Sequence, residues 1–383
     1  MIKLTRSQNI QKTKESNFDI IIVGGGIIGC SIALELTERK YKVALIERDK
    51  LGSGASSAAT GGLTPQSDDF CKGPLRLFAL ASLEMYPKWL KKLYDITGAY
   101  VEYQEYGLLR LAFTKEVLDQ LDESAKTWAK EGFSFRKLSR KQILQMEPLL
   151  NPELIGGYHL PQEPSIDPQA LMDTVARAIS LTGCHIFLGR PVVELIQQQK
   201  RAKGVILSDG TILSADWVVI AAGAWSGMIK GIPFCPVEPA KGQVLLVKTH
   251  RNLFKYHIYS TPGYIIPRLD GRITLGVTYE LAGYNKTVTV GGMHEILNAT
   301  MKLSEAIKDC EILRYWAGLR PRMPDEKPVL GLSSKVERLV FATGHFGLGI
   351  TLTPITAKLI SDLISGKPFN KELSIYSPDR FEK

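Results

Sequence analysis

One short run constrains the fold of this chain more than any other: Asp19-Ile-Ile-Ile-Val-Gly-Gly-Gly-Ile-Ile-Gly-Cys-Ser31. Residues 20–23 are β-rich with no polar side chain, as expected of a parallel strand buried on both faces. Gly24, Gly26 and Gly29 follow in G-x-G-x-x-G spacing. A helix is expected over 27–36 and a second strand over 42–46. Gly24 permits the tight turn, Gly26 lets a pyrophosphate approach the backbone, and Gly29 lets the helix lie close to the sheet. The helix N-terminus would present unpaired N–H groups and a positive dipole end to that diphosphate. Glu47 closes the second strand, 18 residues beyond Gly29. A carboxylate there can accept hydrogen bonds from ribose hydroxyls. Set between a strand and a helix, with an acidic residue at this distance, the spacing points to a dinucleotide site.

At 383 residues the chain can hold two modest domains, or one large one with an insertion. Its net charge of +9 is spread over scattered Lys and Arg without a nucleic-acid motif. That charge favours anionic ligands in general and argues against a nucleic-acid partner. Cys30, Cys71, Cys184, Cys235 and Cys310 are far apart, with no C-x-x-C pair. Neither a metal site nor a disulfide framework is expected, and a reducing compartment is the default. No run approaches the roughly 18 apolar residues of a transmembrane helix. Residues 1–17 are polar and basic, lack the apolar region of a secretory signal, and read as a flexible N-terminal arm. A soluble cytoplasmic protein is the simplest reading.

The stretch Gly52-Ser-Gly-Ala-Ser-Ser-Ala-Ala-Thr-Gly-Gly62 is too small and flexible to build core and suits a loop pressed against a ligand. Helices are expected over 75–94, 116–131, 139–146 and from 166 to about 182, with a strand over 106–113. Strands at 184–188 and 192–196, a hairpin over 202–213 and a separate buried strand from Asp216 make a second block of the nucleotide unit. From 236 to 310 the character changes. Short strands at 244–247, 258–259, 264–267 and 273–277 with close turns mean antiparallel sheet, followed by a helix over 293–308. A strand at 339–343 enters a glycine-rich loop, and Pro354 sits in the first turn of a closing helix through 364. The fold class is therefore α/β, α+β overall. A Rossmann-like βαβ domain is assembled from 18–100, 156–235 and 311–383, with an antiparallel-sheet substrate domain inserted as 101–155 and 236–310.

Five motifs stand in one order: Gly24-Gly-Gly-Ile-Ile-Gly29 with Glu47; Ser56-Ser-Ala-Ala-Thr-Gly-Gly62; Val218-Val-Ile-Ala-Ala-Gly-Ala-Trp225; Gly318-Leu-Arg-Pro-Arg-Met-Pro-Asp325; and Ala342-Thr-Gly-His-Phe-Gly-Leu-Gly349. The set resembles the FAD-dependent amino-acid and amine oxidoreductases of the D-amino acid oxidase superfamily, from about residue 18 to the C-terminus. Within it the chain looks most like glycine oxidases of the thiamine-biosynthesis type. The resemblance implies that Gly24, Gly25, Gly26, Ile27, Ile28, Gly29, Glu47 and Arg48 hold the ADP half of FAD. It places Ser56, Ser57, Ala59, Thr60 and Gly61 along the diphosphate and flavin, and Val192 or Val193 at the adenine. Ala221, Ala222 and Gly223 would pass close to the dinucleotide. Gly344, His345, Phe346, Gly347, Leu348, Gly349, Ile350 and Thr351 would run along the isoalloxazine. Arg320 matches the arginine that clamps the substrate carboxylate, and Tyr264 a tyrosine that assists it. Tyr279 and His345 are further candidates for the substrate pocket, whereas Arg268 reads as structural.

The resemblance implies hydride transfer from the substrate Cα to flavin N5, with no essential catalytic side chain. The partners are then a small amino acid and either oxygen or an electron carrier; self-association stays open. No cysteine neighbours Arg320, so noncovalent FAD is expected. Two positions depart from the glycine oxidase pattern: Gly347 stands where an arginine is usual, and Pro262 where a histidine is often found. Glycine, sarcosine, another D-amino acid and proline all stay open as substrates, and so does a dehydrogenase. A non-amine flavoprotein is the remaining alternative; it lacks support from a second G-x-G-x-x-G or a clustered basic face.

Overall fold

In the computed structural model, which describes residues 16–261, 263–368 and 371–381, two eight-stranded sheets carry the fold. The expected arm up to residue 15 and the departure at Pro262 lie outside the described residues. Residues 16 and 17, assigned to the arm from sequence, already belong to the first strand.

The first sheet has a parallel centre, in the order Leu339–Thr343, Ile212–Ile220, Ser16–Val23, Val43–Ile46, His185–Phe187. Val329–Leu332 closes one edge antiparallel, and the hairpin Val192–Gln198 with Arg201–Leu207 attaches to Ile212–Ile220. Ile20, Ile21 and Ile22 are fully buried because both faces are covered. Ile20 and Ile22 pack with the helices Ile27–Glu38, Pro74–Thr97, Pro168–Leu181 and Thr353–Ile364, while Ile21 and Val23 pack on the side of the hairpin. This two-sided burial is why the run carries no polar residue.

The second sheet runs Glu311–Arg322, Glu238–Lys248, Arg272–Gly276, Gly263–Pro267, His257–Ser260, Leu108–Ala112, Gly156–Leu160, Arg136–Ser139. Its pairs are antiparallel except where His257–Ser260 meets Leu108–Ala112. Leu109, Ile258, Ile265, Leu275 and Leu245 lie in one register row and form a buried core with Ile296 and Leu303 of the helix Val290–Leu303. The next row holds Arg110, Tyr259, Tyr264 and Gly276. The strand period of two turns that row to the opposite face, toward the first sheet's loops.

Three local expectations are corrected. The hairpin arm at 211–213 and the strand from Asp216 are one strand, Ile212–Ile220, which pairs antiparallel at its start and parallel beyond. The helix expected over 293–308 stops at Leu303, because Ser304 is extended and caps a separate short turn, Glu305–Asp309. The divisions expected at 155/156 and 310/311 leave the strands Gly156–Leu160 and Glu311–Arg322 on the nucleotide side, yet both pair within the second sheet. Among the described residues no helix is long and apolar enough to cross a membrane.

Candidate active site

A cavity of about 570 Å³ opens where the C-terminal ends of the parallel strands face the second sheet. Ligands of open α/β sheets bind in this crevice. Of the residues singled out in the sequence, Gly24, Gly26, Ile27, Ile28, Glu47, Arg48, Ser56, Ala59, Thr60, Gly61, Val192, Val193, Ala221, Ala222, Gly223, Arg320, His345, Phe346, Gly347, Gly349 and Ile350 line it. Segments far apart in sequence are thus brought to one place.

The others stand behind the wall. Gly25 donates its N–H to Glu47 Oε2 at 2.7 Å and packs under Leu51. A Cβ at Gly29 would lie 1.9 Å from Gly24 O, so this glycine serves helix–strand approach. Ser57 N–H turns back to Gly52 O. Gly344 packs against Met323, and Leu348 and Thr351 are buried. Tyr264 and Tyr279 are absent from the wall as well. Tyr279 is 48% exposed and meets Phe346 edge-on at 6.1 Å.

The helix Ile27–Glu38 begins at Gly26 with no side-chain cap and no acidic residue in its first turn. Ile27 N–H is taken by Ser56 Oγ at 2.9 Å, and Ile28, buried in the core on its other side, also lines the cavity. This is an anion site in its simplest form. Glu47 is buried, with Oε2 on Gly25 N–H and Oε1 on Asp49 N–H. Its carboxylate therefore fixes the glycine turn as well as facing the cavity. The 52–62 loop is fastened from the second sheet: Trp316 Nε1 donates to Ala58 O at 3.2 Å and Arg268 Nη2 to Thr60 O at 2.9 Å. Arg268, structural by expectation, is buried and holds this loop.

Arg320 lies across Gly242, where a Cβ would fall 2.4 Å from its Nη2. Its one hydrogen bond among the described residues is Nη1 to Thr278 O at 3.4 Å. Most of its five donors face the cavity unclaimed. Burial pulls its pKa down, while Tyr264, Asp68 and Tyr279 pull the other way. Asp325, the obvious structural partner in sequence, instead binds Arg380 through both oxygens, at 2.9 and 3.1 Å. Tyr264 stacks on Tyr259 at 4.4 Å, and the Arg110 guanidinium lies 3.4 Å from the Tyr259 ring centre. His345 is buried with Nε2 3.2 Å from Thr356 Oγ1, and burial lowers its pKa to about 3, so the ring is neutral.

Sequence reasoning missed several wall residues. Trp225, which takes the Arg48 guanidinium at 3.5 Å from its ring centre, ended a quoted motif and was within reach. Gly318 likewise stood in a motif, and a Cβ there would press on Ala58 at 2.5 Å. Gly242, Lys230 and Met228 carry no local signal.

Comparison with known proteins fits this geometry. Residues 19–363 match the family described as FAD dependent oxidoreductase. The chain is 32% identical over 369 residues to the glycine oxidase of Geobacillus kaustophilus, covering 95% of this chain and 97% of that protein. It is 33% identical over 375 residues to the bifunctional protein ThiO/ThiG of Trichormus variabilis; this is 95% of the chain but 55% of that protein, so the chain spans about half of that relative's length. The crystal structure of the Geobacillus kaustophilus glycine oxidase superposes with a TM-score of 0.91 at 31% identity, over 95% of this chain and 99% of that one.

Proposed function

This chain belongs to the FAD-dependent oxidoreductase family, and from that premise we propose that it oxidises the C–N bond of a small amino acid such as glycine, sarcosine or a D-amino acid. The Arg320 guanidinium at the cavity, held among the described residues only by Thr278 O, carries this reading. A planar guanidinium binds a carboxylate by two parallel bonds and so fixes the direction of the Cα–H.

The residues present fit FAD. Gly24, Gly26 and the uncapped helix start form a cradle that side chains would fill: a Cβ at Gly24 would lie 2.4 Å from Ala221 O, and one at Gly26 3.1 Å from Ser56 Oγ. Glu47 would hold the ribose, Val192 and Val193 the adenine end, and Phe346 to Ile350 the flavin end. When bound, FAD supplies the acceptor for the hydride that leaves Cα. Arg320 orients the substrate, the second sheet closes the cavity against water, and the neutral His345 adds no charge to the flavin loop. The imine product would hydrolyse to a 2-oxo acid and ammonia. Among the described residues no cysteine lines the cavity, which supports noncovalent FAD. All five cysteines are unpaired, which supports a reducing, cytoplasmic setting. The two-domain division is retained, with Gly156–Leu160 and Glu311–Arg322 moved to the substrate domain.

The test is anaerobic bleaching of the purified yellow protein by glycine, sarcosine, D-alanine, D-proline and L-proline, followed by air. Bleaching by one or a few members supports the reading and names the substrate. Fast recovery of colour with peroxide marks an oxidase, and slow recovery marks a dehydrogenase that uses another carrier. Flavin-loaded protein that none of them bleaches would reject small amino acids as donors.

A further inference from the structure

Two strands kept apart by a third are joined again above the cavity. Val43–Ile46 and Ile212–Ile220 pair with opposite edges of Ser16–Val23. Neighbouring strands lie about 4.8 Å apart, so these two are separated by roughly 10 Å. Arg48 follows the first and Trp225 the second. Yet the Arg48 guanidinium sits 3.5 Å from the centre of the Trp225 ring, and both residues line the cavity. The pair therefore spans the C-terminal end of Ser16–Val23, where Gly24 and Gly26 form the dinucleotide cradle.

The two halves of the bridge differ. Trp225 is held from several sides. Its N–H bonds Ala222 O at 3.1 Å. Its ring edge stands 3.9 Å from the place of a Cβ on Gly54, in the 52–62 loop. Tyr284 lies against it at 5.6 Å between ring centres and donates its hydroxyl to Ala224 O at 2.9 Å. Tyr284 comes from the connection over 277–289, between the strand Arg272–Gly276 and the helix Val290–Leu303. The substrate domain thus fixes the indole. Arg48, by contrast, is exposed, and its guanidinium makes no ion pair or hydrogen bond among the described residues. It is a long arm whose one printed partner is the ring.

We propose that Arg48 and Trp225 form a clasp across the cofactor cavity, which FAD must part to enter or leave, and that Tyr284 is a positioning residue that holds the indole in place. This rests on the flavin reading above and adds how the cofactor is kept. A guanidinium over an indole at an exposed site favours the closed pair by about two- to fivefold. The contact joins two protein groups, so it forms equally before and after the cofactor arrives. Breaking it speeds passage in both directions and leaves affinity nearly unchanged. A side chain that merely touched FAD would change release and not uptake.

The experiment measures both rates. Release is the rise of free-FAD fluorescence when holoenzyme is diluted. Uptake is the quenching of protein fluorescence when FAD is mixed with apoprotein, and is obtained again from holoenzyme alone as the release rate divided by Kd. Arg48→Met keeps the stem and removes the cation. It should raise release and uptake together by about two- to fivefold, with Kd within about twofold of wild type. Arg48→Lys, which keeps a cation, should fall between the two. Tyr284→Leu should also raise both rates in the same ratio. Arg48→Met combined with Trp225→Leu should be no faster than the faster single variant, because the pair is one contact. Arg338→Met removes a similar contact, 4.3 Å from the Trp217 ring centre and outside the cavity, and should change neither rate. Faster release with unchanged uptake in Arg48→Met would overturn the clasp, since that marks direct contact with FAD. Unchanged rates in Arg48→Met, or additive effects in the double variant, would overturn it as well. Wild-type protein that takes up no FAD would reject the flavin reading and the clasp with it.

Discussion

At Arg320 the identity of one side chain, the absence of another and the path of a strand act together. The guanidinium occupies the room that Gly242 leaves empty on the neighbouring strand, and among the described residues only Thr278 O claims any of its donors. Arg320→Ala should therefore leave FAD bound and remove the substrate clamp, raising KM or abolishing turnover. Losing a desolvated charge-paired contact costs ~2–5 kcal/mol, about 30-fold or more in kcat/KM. Unchanged kinetics with a yellow protein would move the carboxylate site elsewhere. Arg320, Glu47 and the three spaced glycines were legible because each sits in a run whose neighbours specify it. Arg110 was not. Arg110 is a lone cation in the buried strand Leu108–Ala112, with Nη1 unpartnered among the described residues, and its aromatic neighbour Tyr259 comes from another part of the chain.

The strand–turn–helix unit at the N-terminus shows the same logic one scale up. Hydrophobic runs located the strand Ser16–Val23 and the helix Ile27–Glu38 within a few residues, since local pattern and burial agree there. What the unit does depends on clearance: the first helical turn approaches the strand end more closely than any Cβ permits at Gly29. Gly29→Ala should open this contact, tilt the helix start away from the cavity, and release FAD during gel filtration. Gly291→Ala is the control. It lies in the first turn of Val290–Leu303 with nothing within 4 Å of a new Cβ, and should stabilise the helix by up to about 0.5–1 kcal/mol. A Gly29→Ala protein that stays fully yellow would show that this clearance is not needed. Where elements were misjudged, the missing information was long-range. Nothing local says that 211–213 and the run from Asp216 are one strand, because the first part pairs with Arg201–Leu207 and the second with Ser16–Val23. Likewise Glu311–Arg322 alternates weakly, and its sheet is decided by eleven register pairs with Glu238–Lys248.

Across the whole molecule, burying titratable groups between the two sheets and their loops sets the pH response, and the signs oppose. His257 and His345 are buried, and burial lowers both pKa values to about 3, below the ordinary ~6.5. A depressed folded pKa means that the unfolded chain binds more protons between pH 6.5 and 3. This stability is present above about pH 6.5 and is lost as pH falls toward 3. Glu163 and Asp68 run the other way. Burial raises them to about 7 and about 6, above the ordinary carboxylate values near ~4, so the folded chain binds the extra protons. Their contribution is full below about pH 4 and is lost as pH rises through 6 to 7. Between pH 7 and 5 the two histidines lose stability while the two carboxylates gain it, so wild type should show a nearly flat melting temperature. Removing one side exposes the other. Glu163→Gln should make the melting temperature fall steeply from pH 7 to 5. His257→Leu should make it rise, because it removes a group whose stability is lost as pH falls below 6.5; both ring nitrogens lack partners among the described residues. Parallel melting profiles for wild type and both variants would mean that neither group titrates in this range in the folded chain.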